Sequence, residues 1–337
     1  MGLEEVAGYS SAVPDSVEER GTLTRAALQL RERVSGRKPA PPGPARTAIL
    51  IVNGFDRHSA NAFDVEEARR FPWIKICLDQ LARHTPEASY DVLVWDNSFL
   101  PEHLEILGAS PRVSVFSERE REKDVRHGRA LDRLLREVPS ATEYVITLDT
   151  DSFPIRHGWL ENLIGRLEGG AWIAGIWRDE MAPRIQPYVH PSCLAARRET
   201  LVGLKVEFAR QTNVHRVDVG QNITNAVISA GGSISRLRRS NARNMHFLMA
   251  GIYGDLLYHH GAGSRHAFFW TSFDTKADEA VRIAMRDAAF SDLDVLIGFL
   301  AGNWPIEGPS ESTPKAAAVP NRSPDAPSVA KDRRGSA

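Results

Sequence analysis

Tyr144-Val145-Ile146-Thr147-Leu148-Asp149-Thr150-Asp151-Ser152-Phe153-Pro154 is the stretch on which the reading of this chain turns. An apolar run of strand-like residues ends abruptly in two carboxylates spaced i, i+2. Residues two apart on a strand project to the same side, roughly 7 Å apart along the chain. Asp149 and Asp151 are therefore predicted to share one side of a strand end. In an open α/β sheet the ligand crevice lies beyond the carboxyl ends of the strands. Two like charges placed there stay ionised most easily beside a cation. Carboxylate oxygens suit hard divalent ions, Mg or Mn. Such an ion can hold a diphosphate and neutralise the charge that grows on it as it leaves. The plainer alternative is a pair of solvated carboxylates at a strand–loop junction.

Upstream, Ala48-Ile49-Leu50-Ile51-Val52 is a short continuous apolar run, the mark of a strand buried on both faces. A helix is predicted near Trp73 to His84, then strands over Tyr90–Trp95 and Val113–Phe116. Ala130, Leu131, Leu134, Leu135 and Val138 mark the helix before the Asp149 strand. Strands alternating with helices predict βαβ units and a mostly parallel α/β sheet with helices on both faces. Downstream, a helix over Trp159–Leu167 precedes a strand over Ala171–Trp177. Leu194 to Leu204 reads as a strand-to-helix passage. Ile223 to Ala230 is a helix stopped by Gly231-Gly232. Ala277 to Leu300 is helical, with a break near Ser291.

Residues 1–46 read as an appendage: a helical stripe of Leu23, Ala27, Leu30 and Val34, then a stiff Pro-rich linker. The stripe offers a contact to the main domain or to a second copy of the chain, a homodimer. The tail from residue 305 is predicted to be disordered. The net charge of −1 gives no electrostatic case for nucleic acid or an anionic membrane. Cys77 and Cys193 form no disulfide framework or zinc spacing. Cys77 falls on a helix face with Ile74, Leu78 and Leu81 and reads as core. With no signal-peptide pattern and no apolar run of membrane length, a cytoplasmic location is expected.

Four further motifs flank the Asp pair. They are Val94-Trp95-Asp96-Asn97-Ser98, His127-Gly128-Arg129-Ala130-Leu131-Asp132, Arg216-Val217-Asp218-Val219-Gly220-Gln221, and Tyr258-His259-His260-Gly261-Ala262-Gly263-Ser264-Arg265. In this order, over roughly Thr47 to His260, the chain resembles GT-A-fold glycosyltransferases, and among them the inverting family two. The resemblance implies a nucleotide-binding half over 47–152 and an acceptor half over 153–304. It implies that Asp96 contacts the base or ribose of a nucleoside-diphosphate sugar donor, as a carboxylate can by accepting N–H or O–H groups. Asp-Asn-Ser is equally good turn chemistry. It makes Gly128 the entry to a helix whose N-terminus admits phosphate or ribose, with Arg126 or Arg129 near the diphosphate. Asp132 stands where the family commonly has Asn.

The resemblance further implies Asp151 as the direct metal ligand and Asp149 as a ribose or metal contact. Asp218 is implied as general base, or else it is a helix N-cap. The family's preceding Glu is Val217 here. A late His is implied as a third ligand, with His260 preferred to His259. Trp172, Trp177 and Trp270 can stack on sugars, but a strand Trp is more often core. His190 and Arg184 carry no assignment.

The expected activity is transfer of a hexosyl-type sugar from such a donor to an acceptor hydroxyl, metal-dependent and with inversion. The acceptor is open: a saccharide, a lipid-linked glycan or a small molecule. A haloacid-dehalogenase-like phosphatase also uses Asp-x-Asp after a strand, but near the start of its domain; here three strands precede the pair. A non-catalytic sugar or nucleotide binder on the same fold is the third reading.

Overall fold

The computed structural model describes residues 47–302, apart from 55–64, 87–89, 99, 111, 119–124, 181, 183–184, 210–216, 247, 262 and 264–275. The expected N-terminal helix and linker, the tail from 305, Arg184, Arg216, Trp270 and most of the loop after Gly261 lie outside those residues.

Strand β1 (Thr47–Asn53) is buried along its whole length. Parallel neighbours flank it: β2 (Tyr90–Asp96) and β4 (Tyr144–Asp149). Strand β3 (Val113–Phe116) pairs parallel to β2. Beyond β4 the direction reverses once. Strand β7 (Tyr188–Arg197) is antiparallel to β4 and to β6 (Ile173–Arg178), and β6 is parallel to β8 (Ile234–Leu237). The seven-stranded order is β3-β2-β1-β4-β7-β6-β8. The α/β, mostly parallel sheet expected from the apolar runs is present. Those runs do not show β8 or the start of β7, where His190-Pro191 interrupts the apolar pattern.

Period-two alternation sends successive strand residues to opposite faces. Ile49, Ile51, Val94, Ile146 and Leu148 enter one core, together with Trp73, Ile74, Cys77 and Leu81 of α2 (Trp73–His84) and Trp159, Leu160 and Leu163 of α5 (Trp159–Glu168). Val281 and Met285 of α8 (Lys276–Ser291) and Leu296 of α9 (Leu293–Leu300) join that core. Ala48, Leu50, Leu93 and Trp95 enter the opposite core. There they meet α4 (His127–Glu137), α6 (Arg198–Leu204) and α7 (Gln221–Ser229) through Leu131, Leu134, Leu201, Ile223 and Val227. Helices therefore cover both faces. The short helices α1 (Val65–Arg70) and α3 (Pro101–Gly108) complete the set among the described residues. Trp172 and Trp177 are core residues, as is Cys77. The helical break expected near Ser291 falls at Asp292, which caps α9 by accepting from the Val295 N–H.

A second sheet, β5 (Ser152–Pro154), β10 (Leu257–His259) and β9 (Gly251–Tyr253), is antiparallel and packs into the first core. Its first strand begins three residues after β4 ends, so the Asp149–Asp151 segment is the corner between the two sheets.

Because β7 alone is reversed between β4 and β6, one edge of the large sheet collects the carboxyl ends of β1, β2, β4 and β6 and the amino end of β7. Gly54 follows β1 at that edge with φ +110°, and a Cβ there would lie 2.6 Å from the Ser98 nitrogen and 2.7 Å from the Asn97 carbonyl carbon. We expect Gly54→Ala to lower the unfolding free energy by about 1–3 kcal/mol, measured by urea titration. An alanine variant as stable as the parent would contradict this packing.

Candidate metal and donor site

Asp149 is the last residue of β4, and three imidazoles face it. Oδ2 lies 4.0 Å from His190 Nδ1 and 3.9 Å from His259 Nε2. His127, the first residue of α4, brings Nε2 to 3.2 Å from Oδ1. Oδ1 is buried and has no hydrogen-bond partner of good geometry among the described residues. Ligand atoms of Asp149, His190 and His259 all lie within 4.8 Å of one another. Most of these separations exceed hydrogen-bond length, so the donors converge without satisfying one another.

Protonation completes the picture. Burial acts to raise the Asp149 pKa, but His127, His190 and His259 outweigh it and hold the carboxyl well below the usual carboxylate range. Burial, and then the Arg178 guanidinium, push His190 down to about 4. Burial, Arg178 and His190 push His259 well below its ordinary value. At neutral pH an ionised carboxylate thus faces two neutral imidazoles, the form in which each group binds metal. Carboxylate oxygen with imidazole nitrogen suits Mn and its first-row neighbours, and Oδ1, faced only by His127 Nε2 at 3.2 Å, is buried without a well-formed hydrogen bond. A divalent ion fits these residues. The Ser192 N–H already donates to His190 Nδ1 at 3.0 Å, so His259 is the stronger imidazole ligand.

Asp151 corrects the strand argument. It sits in the turn between β4 and β5, not on the strand, so period-two alternation does not relate it to Asp149. His259 relates them instead, with Nε2 3.8 Å from Asp151 Oδ1. The other oxygen, Oδ2, accepts from the Gly263 N–H at 2.8 Å, and the Asp151 carbonyl accepts from His260 N at 2.9 Å. One carboxylate oxygen is committed to the loop that follows β10. Asp149, rather than Asp151, stands at the centre of the cluster.

The His pair resolves by strand geometry. His259 pairs in register with Ser152, and its ring stacks on His190 at 5.5 Å between centroids. His260, just past the end of β10, turns away from the carboxylates. The His260 ring lies 4.4 Å from Trp73, and its Nδ1 is 2.9 Å from the Tyr258 hydroxyl. Burial and the Arg282 and Arg286 charges push it down to about 3. The preference for His260 is therefore reversed: it is core, and His259 faces the carboxylates.

Asp96 ends β2 at the same edge and is buried. Its Oδ1 accepts from Asn53 Nδ2 at 2.8 Å, Ser98 Oγ at 2.6 Å and Ser98 N at 3.1 Å. That is the turn chemistry expected of Asp-Asn-Ser. Its Oδ2 is buried with no hydrogen-bond partner among the described residues, so one acceptor remains beyond the turn. Asn97 extends the arrangement by bonding the Val125 backbone through both ends of its amide, which holds the approach to α4 against the Asp96 turn.

The entry to α4 works differently from expectation. A Cβ on Gly128 would lie 2.7 Å from Ala209 Cα and 2.9 Å from Phe208 O. The close approach that this glycine permits is to the chain's own backbone, not to a phosphate. Asp132 holds the same backbone, accepting from Phe208 N at 2.7 Å and Ala209 N at 3.1 Å; burial raises its pKa against these two bonds. Arg126 and Arg129 are exposed. The residue of this motif that reaches the cluster is His127.

Asp218 is not the cap of α7, which is Gly220. It is half-buried. Its Oδ2 accepts from the Tyr188 hydroxyl at 2.7 Å and its Oδ1 from Val219 N at 2.8 Å. Its charge is felt at His190. His190 and His127 are the site residues that the motifs missed. The signal for His190 was present only in three dimensions, on a strand whose start is irregular.

No family model matches this chain, and no curated protein matches it in sequence. Solved structures do match in fold. A mannosyltransferase, PcManGT of Pyrobaculum calidifontis, in complex with GDP-Man and Mn2+, aligns at 18% identity over 63% of this chain and 62% of that one, with TM-score 0.40. TarS of S. aureus, residues 1–349 in complex with UDP-GlcNAc, aligns at 12% identity over 59% and 60%, TM-score 0.40. A further TarS structure aligns at 13% identity over 58% and 35%, TM-score 0.41. This chain thus spans less than two thirds of each of these structures. At this similarity the functional reading rests on the chain's own residues.

We expect His259→Ala to weaken Mn2+ binding by at least about tenfold and His260→Ala to leave it within about twofold, by titration calorimetry. His260→Ala should instead lower thermal stability through its contact with Trp73. The reverse pattern would contradict this geometry.

Proposed function

We propose that the chain is a metal-dependent glycosyltransferase that moves a sugar from a nucleoside-diphosphate sugar to an acceptor hydroxyl with inversion. The observation that carries this reading is the convergence of Asp149, His190 and His259 at the carboxyl edge of the sheet, between Asp96 on one side and Asp218 on the other. A divalent ion held by Asp149 and His259, with His190 and Asp151 beside them, would supply positive charge against the departing diphosphate. The chain's own residues do the rest.

Asp96 Oδ2 is the acceptor available to a base N–H or ribose hydroxyl on the nucleotide side, residues 47–152. Asp218 stands on the acceptor side, residues 153–304. Both of its oxygens accept a bond, from Tyr188 and from the Val219 N–H, which orients the carboxylate. In the reaction, the acceptor oxygen bonds to the anomeric carbon as that carbon's bond to the diphosphate breaks. The bonding pair leaves with the diphosphate, and the acceptor proton passes to Asp218. Attack from the side opposite the leaving group inverts the anomeric centre. Val217, where the resemblance would place a Glu, removes one carboxylate from the base's neighbourhood and makes Asp218 the group to test.

Two outcomes are expected. Thermal stabilisation by UDP or GDP should require Mn2+ as well; no response to any nucleotide–metal pair would overturn the reading. Asp218→Asn should retain that stabilisation while losing turnover of the nucleotide-sugar it accepts by about 10²- to 10⁴-fold. Undiminished turnover would remove Asp218 from the base role.

A further inference from the structure

Strand β6 ends on Arg178, at the edge that carries Asp149 and one strand beyond His190. Arg178 pairs in register with Tyr188, whose hydroxyl holds Asp218. The side chain is only 12% exposed, so its charge is largely removed from water while its tip stays reachable. A buried guanidinium must have its donors satisfied or lose free energy.

Arg178 spends only one donor on the protein. Its Nε donates to Glu180 Oε2 at 2.9 Å, while Glu180 Oε1 accepts from the Tyr253 hydroxyl at 3.0 Å. The pair is therefore single, not the two-pronged contact that an arginine and a carboxylate form when they satisfy each other. Among the described residues, neither Nη group has a hydrogen-bond partner. Glu180, 4% exposed, anchors the stem of the guanidinium and leaves its fork unspent. The charge of that fork is felt at both His190 and His259, which places it near the imidazole side of the Asp149 cluster.

We propose that the Nη fork of Arg178 binds an oxyanion of a substrate, a phosphate or carboxylate group taken in two parallel hydrogen bonds. Planar, paired donors match those groups and are wasted on a lone hydroxyl. The identity of the substrate rests on the glycosyl-transfer reading; the anion site itself does not. The oxyanion has two possible sources, the donor diphosphate or an acidic group on the acceptor.

Arg178→Lys keeps the charge and one contact to Glu180 but removes the fork. A second variant, Arg178→Gln with Glu180→Gln, removes both charges together and leaves no unpaired carboxylate. Titration calorimetry on the full chain with Mn2+ uses pyrophosphate, UDP or GDP, and inorganic phosphate added to the nucleotide-loaded protein. Loss of about tenfold or more in pyrophosphate and nucleotide affinity in both variants assigns the fork to the donor diphosphate. Unchanged nucleotide affinity with loss of phosphate binding assigns it to an acceptor anion. A parent protein that binds phosphate or pyrophosphate through Arg178 but no nucleotide would sink the transferase reading and leave the anion site standing. Equal binding of every probe in parent and variants, or binding of none by the parent, overturns the site.

Discussion

The site depends on one half-buried charge. Asp149 ends a strand that is buried along almost all of its length, so its carboxylate sits where water compensates it poorly. The chain answers with imidazoles rather than with a fixed cation. His190 and His259 approach from a reversed strand and from a second sheet, and burial keeps both neutral. These two neutral imidazoles supply no positive charge to balance the carboxylate. That unbalanced charge is the physical reason for reading a cation site rather than a structural ion pair. A structural pair would have placed a lysine or arginine against Asp149; Arg178, on the same edge, gives its Nε to Glu180.

The surrounding structure holds the edge still. Asn53, Ser98 and Asn97 fix the Asp96 turn and carry it to Val125, just before α4. Asp132 and Gly128 then bind α4 to the 208–209 backbone, and Asn222 Nδ2 donates to the Ala209 carbonyl from α7. His127, placed by α4, and Asp218, placed just before α7, are thereby tied to one connected framework. Positions set by several independent bonds are those at which a small displacement would cost most.

Much of this was legible in the sequence, for physical reasons that differ by residue. The Val145–Leu148 run could only be a buried strand, and the charge at its end had to lie at a sheet edge; both hold. The α/β class followed from the alternation of such runs with helical stripes. Three points were not legible. Asp151 is removed from the strand by a corner that begins a second sheet, which no local pattern announces. The choice between His259 and His260 is one of parity, set by the register of β10 against β5, and a shift of one residue would exchange their roles. His190 enters only because β7 runs antiparallel between β4 and β6, a long-range pairing invisible to periodicity. Gly128 carried a real signal, a position without room for a side chain, but the neighbour that demands it is Ala209.

The proposed function turns on whether Asp149, His190 and His259 hold one cation together. Crystals of the full chain grown with Mn2+ and measured at the manganese absorption edge test it most directly. An anomalous peak is expected between these three side chains, with His260 still packed on Trp73. A peak elsewhere, or none at saturating Mn2+, would contradict it.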